Sequence, residues 1–159
     1  FKNFFQWQPD ANGRPLVRVN GGKFRNVGIE AEYGRRLSDR LKWNVSGSYS
    51  NPRQKEMNEN YWKQAAPKLQ FTTGIRYESP TWEAGTSFSF VTKRLRNRDG
   101  GLNPNIALWN AYVGYHFNKD ATLRLDARNL LDRHNVITNG DYEYWGDPFT
   151  YELSYTQKF

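Results

Sequence analysis

Apolar and polar residues trade places step by step along most of this chain. In the C-terminal stretch DPFTYELSYTQKF, Phe149, Tyr151, Leu153, Tyr155 and Phe159 share one parity, and Thr150, Glu152, Ser154, Thr156 and Lys158 hold the other. A period of two is the mark of a β-strand with one apolar face. Val27, Ile29, Ala31 and Tyr33 alternate in the same way with Gly28, Glu30, Glu32 and Gly34, and Leu41, Trp43, Val45 and Tyr49 with Lys42, Asn44, Ser46 and Ser48. Further strands are predicted where Leu69, Phe71, Ile75 and Tyr77 oppose Gln70, Thr72, Gly74 and Arg76, and where Trp82, Ala84, Phe88 and Phe90 oppose Glu83, Gly85, Ser87 and Ser89. Trp109, Ala111, Val113, Tyr115 and Phe117 form a less cleanly sorted strand, and Leu123, Leu125, Ala127 and Leu131 stand against Thr122, Arg124, Asp126 and Arg128. The opening FKNFFQWQ completes about eight strand candidates, and almost nothing has a helical period.

The connections alternate in length with a fixed sense. Short turns fall at RRLSDR, ESPT and FNKDA, whereas long polar loops cover 9–22, 51–67, 93–104 and 131–148. An up-and-down antiparallel sheet with short turns at one end and long loops at the other has the plan of an outer-membrane barrel. A soluble lipocalin-like barrel would have a similar number of strands but would turn the aromatic face inward. Three features favour an outward apolar face: the heavily charged opposite parity, the polarised loops, and aromatics gathered at strand ends. Tyr33, Trp43, Tyr77, Trp82, Phe117 and Phe159 fall at the turn end, and Tyr49, Phe90, Trp109 and Phe149 at the loop end. These read as interfacial girdles.

Composition agrees with that plan. A chain of 159 residues has room for one domain. Its mean hydropathy of -0.92 and 37% hydrophobic content exclude a spanning helix, which needs roughly 20 consecutive apolar residues. Barrel strands escape that test, because half their side chains face a polar lumen. Aromatics at 16% are abundant for so polar a chain, and the net charge is +7. A basic balance allows a nucleic-acid partner in principle, but no binding motif supports one. Cysteine is absent, which permits an oxidising compartment. The chain begins on Phe1 rather than Met and carries no signal peptide, so the expectation is that residues precede it.

Two segments carry a resemblance. In VNGGKFRNVGIEAEY, Asn20 and Gly22 are followed by Gly28 and Glu30, which is similar to an Asn-x-Gly and Gly-x-Glu segment of TonB-dependent outer-membrane receptors. ARNLLDRHN resembles that family's Asn-Leu-Phe-Asp segment at the top of the penultimate strand, with Leu131 where Phe is usual. The resemblance implies an all-β, antiparallel transmembrane barrel of about 22 strands. Residues 1–159 would be about eight C-terminal strands of it, and the plug domain is absent from the chain. It further implies an outer-membrane receptor importing a scarce solute, by default a ferric siderophore, with energy from the TonB complex. Partners would then include outer-membrane lipid, lipopolysaccharide and the barrel assembly machinery, the last reading Tyr151, Leu153, Tyr155 and Phe159. A complete eight-stranded structural or adhesive barrel is the alternative membrane reading.

No enzyme constellation, phosphate loop or metal-ligand spacing is recognisable, so the sequence calls for no catalytic group, cofactor or metal. Candidate ligand contacts lie in the long loops. KRLRNR gathers Lys93, Arg94, Arg96 and Arg98, which suits an anionic chelate or neighbouring lipopolysaccharide. Tyr61 with Trp62 and Tyr144 with Trp145 offer flat amphipathic rings, and His134 offers an imidazole. The ring pairs could equally fold the loops onto one another, and the histidine could equally be a solvated loop residue. Glu30, Arg76, Arg124, Asp126 and Arg128 fall on the polar parity as lumen-lining residues, where a ladder of cross-strand charge pairs is expected.

Overall fold

The computed structural model describes residues 2–8, 17–92, 94–95, 101–137 and 144–158. Every regular element among them is a strand: β1 (Lys2–Gln8), β2 (Val17–Arg25), β3 (Gly28–Arg36), β4 (Leu41–Ser50), β5 (Arg53–Lys55), β6 (Lys63–Gln64), β7 (Leu69–Glu78), β8 (Trp82–Val91), β9 (Arg94–Leu95), β10 (Leu102–Asn103), β11 (Ile106–His116), β12 (Ala121–Arg128) and β13 (Thr150–Gln157). Seven form one sheet in the order β13-β12-β11-β8-β7-β4-β3, every pair antiparallel. This is the up-and-down plan expected from the connections. The sheet is open, with β3 and β13 as its edges.

Register decides which side chains share a face. Tyr33, Val45, Thr73, Phe88 and Trp109 lie abreast on consecutive strands. So do Leu41, Tyr77, Ala84, Val113, Leu125 and Leu153. The apolar parity of each strand therefore falls on one continuous face, and the polar parity on the other. Rings connect across the turn end of the apolar face: Trp82 to Tyr115 at 4.8 Å, Tyr115 to Phe117 at 4.9 Å, and Phe117 to Tyr155 at 6.5 Å between centroids. Buried apolar side chains among the described residues are confined to Ala107, Ala121 and Val136, so the apolar face does not close on a core of its own.

Two hydroxyls interrupt that face, and both are satisfied within it. Thr73 Oγ1 donates to the Asn44 carbonyl at 3.0 Å and accepts the Trp43 indole N–H at 2.9 Å. Thr86 Oγ1 likewise donates to the Asn110 carbonyl at 3.0 Å and accepts from Trp109 Nε1 at 2.6 Å. In an apolar surrounding an unpaired hydroxyl or indole N–H is costly, and each threonine-tryptophan pair removes one of both.

The long loops contain more strand than the sequence suggests. β2 occupies part of the 9–22 loop and extends beyond it, pairing with β1 and β5 in a second sheet of order β1-β2-β5-β6. Segment 93–104 supplies the small β9–β10 hairpin. The penultimate strand ends at Arg128, leaving Leu131 outside it. Within 51–67 the Lys63 ammonium lies 2.7 Å from Glu56 Oε1 and 2.8 Å from Glu59 Oε1, and the Tyr61 hydroxyl donates to Glu59 Oε1 at 3.2 Å. The Lys63 ammonium holds the Glu59 carboxyl below its ordinary range.

Two outcomes are expected. Arg at Val45 or Phe71 should destabilise the sheet by about 2–4 kcal/mol where the site meets the bilayer midplane, and far less at Ser46 or Thr72, as measured by unfolding from a lipid bilayer. Because Glu59 binds its proton more weakly in the folded loop, stability from this carboxylate is present above the ordinary carboxylate pKa and is lost as pH falls through the lowered one. Amide exchange across 56–63, corrected for its intrinsic pH dependence, should accelerate in that acid window in the native protein and show no such step in Lys63→Met.

Candidate functional site

The last long loop is built by asparagines. β12 ends where Asn129 takes φ 51° and Asp132 φ 46°, a left-handed geometry that Asn and Asp tolerate better than most residues. Asn129 is 2% exposed. Its side-chain amide donates to the carbonyls of Arg133 at 3.0 Å and Asp147 at 2.9 Å, and its backbone N–H donates to Asn110 Oδ1 at 3.0 Å. Asp132 Oδ1 accepts the Phe149 N–H at 2.9 Å, setting the entry into β13. Asn135 pairs with the backbone of Ala107 in both directions, at 3.2 and 3.3 Å. The family-like ARNLLDRHN segment thus acts as the folding template of this loop.

Arg94 is the cation of KRLRNR that the structure describes with its side chain, and it reaches into the same loop. Its guanidinium donates to the Ile137 carbonyl at 2.9 Å and to the Val136 carbonyl. The buried Nε finds no hydrogen-bond partner among the described residues, and burial pulls the guanidinium below its ordinary pKa while leaving it charged at neutral pH. Arg94 therefore clasps the β9–β10 hairpin to the last loop. Arg96 and Arg98 lie outside the described residues.

His134 and Trp145 meet edge to face, 6.0 Å between centroids at 82°, with Trp145 and Tyr144 both exposed. Tyr61 is also exposed, whereas the Trp62 ring lies 4.5 Å beneath the Arg25 guanidinium. His134 and Trp145 thus form an outward ring pair on the last loop, with Tyr144 an exposed sequence neighbour. Tyr61 and Trp62 belong to a separate one, and the two members of that pair have different surroundings.

On the polar face, Arg124 joins three strands. Its Nε and Nη2 grip Asp126 at 2.8 and 2.9 Å, Nη1 reaches Glu83 at 3.0 Å, and the guanidinium lies 3.8 Å from the centroid of the Tyr112 ring. Two glycines make this approach possible. A Cβ at Gly85 would lie 2.5 Å from the Tyr112 ring, and one at Gly114 would lie 2.8 Å from Glu83 Cγ. Sequence reasoning missed Glu83, Tyr112 and both glycines. The available signal was isolated glycine on the polar parity of a strand, which marks close approach. Glu78 binds Arg76 at 2.7 Å and Lys42 at 3.2 Å, and Arg128 stands 3.7 Å from Glu152. Glu30 is exposed on edge strand β3. Asn44, Gly74, Ser87, Asn110, Tyr112 and Asp126 help to line a shallow groove of about 340 Å³ on this sheet. No cluster of three or more His, Cys, Asp or Glu that could hold a metal occurs among the described residues.

Comparison with known proteins places this architecture. No curated protein matches the chain in sequence. The copper transporter OprC superposes with a TM-score of 0.73 at 17% identity, over 99% of this chain and 27% of that one. The ferric citrate transporter FecA in its unliganded form does so at 0.76 and 23%, over 98% and 27%. The closed form of the ferric-catecholate import receptor Fiu of E. coli K12 gives 0.73 and 18%, over 99% and 24%. The chain spans about a quarter of the length of each. A family profile described as "TonB dependent receptor-like, beta-barrel" matches residues 1–130, and the chain belongs to that family.

Proposed function

We propose that this chain is the wall and part of the loop surface of an outer-membrane receptor that imports a scarce solute, a ferric siderophore, with energy delivered by the TonB complex. The observation that carries the reading is the two-faced sheet, whose apolar parity is continuous across seven strands while the described parts of the long connections lie at one end. An apolar face of this kind suits lipid, and the charged face suits a lumen. Two of the similar structures are described as handling iron chelates, ferric citrate and ferric catecholate, and the third as a copper transporter. Iron bound to an anionic chelator would meet the loops before any other part of this chain. In this reading the rings of His134, Tyr144 and Trp145 provide flat contact, Arg96 and Arg98 provide charge, and Arg94 keeps two loops in register. In the same reading Tyr61 and Trp62, on the 51–67 segment, would offer a second ring contact apart from that one.

Glu30, Arg76, Arg124, Asp126 and Arg128 line the lumen in the same reading, held mostly as pairs. Tyr151, Leu153 and Tyr155 are exposed on edge strand β13, where the assembly machinery would read them. Phe159 lies outside the described residues.

Uptake by the full-length receptor tests the loop assignment. Replacing Arg96 and Arg98 with Gln should weaken uptake of an anionic chelate several-fold at low salt and little at high salt, since exposed charges are screened within about 10 Å at 0.1 M. Removing Tyr144 and Trp145, or changing Arg94 to Gln, should weaken it with little salt dependence, because ring contact and loop clasping are short-range. Unchanged uptake in all three, at normal surface levels, would reduce these loops to a rim. Assembly is tested separately: Tyr155→Asp should lower the heat-modifiable, surface-exposed fraction, and full insertion of that variant would remove the signal from β13.

A further inference from the structure

The outward parity does not stop at the top of the apolar band. Gly28 opposite Ser50 and Arg25 opposite Arg53 follow one register, and Asn51 N–H donates to the Val27 carbonyl at 2.8 Å between them. No residue is gained or lost across the Pro52 gap. The row that reads Tyr33, Ala31, Ile29 and Val27 up the first strand therefore continues as Arg25 and Lys23. Its partner row reads Val45, Gly47, Tyr49 and Asn51, then Arg53 and Lys55. Arg53 Nε donates to Asn51 Oδ1 at 3.0 Å, as expected for neighbours on one face. At roughly 3.3 Å per residue, Arg25 lies about 13 Å and Lys23 about 20 Å along the strand from Ile29.

Arg opposite Arg and Lys opposite Lys are destabilising cross-strand pairs. The polar face contains a comparable clash, with Lys42 opposite Arg76, but Glu78 bridges those two cations. No carboxylate among the described residues lies within ion-pair distance of Lys23, Arg25, Arg53 or Lys55. The Trp62 ring under Arg25 holds that guanidinium in place by a cation–π contact. Lys23 and Arg25 are exposed, and Arg53 and Lys55 half-buried.

We propose that Lys23, Arg25, Arg53 and Lys55 seat the phosphate groups of a lipopolysaccharide headgroup in the outer leaflet against the barrel wall. The proposal rests on the reading that the apolar parity faces lipid. Position and chemistry favour this occupant. The four cations stand just beyond the apolar band, on the face turned away from the polar side of the sheet, where phosphates of neighbouring lipid lie. Arginine forks match phosphate oxygens in pairs, and lysines add point charges. Binding a dianionic group would also relieve the like-charge repulsion that the described residues leave uncompensated.

The test uses full-length receptor in nanodiscs doped with bis-phosphorylated or dephosphorylated lipid A, with retained lipid read by native mass spectrometry. Wild type should retain the phosphorylated form selectively, and Lys23→Gln, Arg25→Gln, Arg53→Gln, Lys55→Gln combined should lose roughly tenfold or more of that retention. Trp62→Leu should lose part of it, and solute uptake by the correctly assembled quadruple variant should stay unchanged. Equal retention by wild type and the quadruple variant would overturn the proposal. So would reduced anionic-solute uptake at unchanged lipid retention, which would make the patch a solute surface. Failure of the underlying lipid-facing reading would show itself differently, as equal tolerance of Arg at Val45 and Ser46.

Discussion

The hydrogen-bonded register of the large sheet is the constraint from which the rest of the structure follows. In lipid no water is available to satisfy backbone groups, so a spanning strand must pair along its length. Once it does, its side chains alternate strictly between two faces, and a slip of one residue would exchange them. Six consecutive strand pairs hold to one parity, from Tyr33 and Val45 through to Leu125 and Leu153. Polar atoms on the apolar face survive because Trp43 and Trp109 hydrogen-bond to threonines one strand away. Those contacts exist only in this register, so they reinforce the arrangement that requires them.

The opposite face meets the same constraint with charge. Arg124 neutralises Asp126 and Glu83, and Glu78 bridges Lys42 and Arg76, the like charges that the register brings abreast. Pairing of this kind makes the charged parity a supporting lattice more than a row of free ligands. Carboxylates and guanidinium groups on this face are already engaged with one another, in part through bidentate contacts that are stronger than ordinary hydrogen bonds.

Legibility in the sequence tracks contact range. β3, β4, β7, β8, β11, β12 and β13 are visible because period-two alternation is local, and the turns between them because Ser, Pro, Asn and Asp mark them. β2 is obscured by Gly21 and Gly22, which interrupt alternation, and it forms because β1 and β5 flank it. β5, β6, β9 and β10 are too short to show a period. Among the candidate site residues, the position of Arg124 on the polar face beside Asp126 follows from spacing, but its reach to Glu83 depends on Gly114 of the neighbouring strand β11. The clasp between Arg94 and the carbonyls of Val136 and Ile137 leaves no local trace, since a cation-rich run looks the same whether its members face solvent or backbone.

These long-range contacts also explain how loops without much secondary structure can present a defined surface. The last loop is anchored by Asn129 at the end of β12, by Asn135 on the free backbone of Ala107 at the start of β11, and by Asp132 at the start of β13. His134 lies between two of those anchors, and Trp145 is joined to the same segment by the bridge between Val136 and Trp145. Their ring contact is thus positioned from the strands below, through buried amides that any solute would never touch. A loop surface built this way inherits its geometry from the sheet register, so a change to Asn129 or Asn135 would misplace the His134–Trp145 ring pair even though it leaves every exposed group intact.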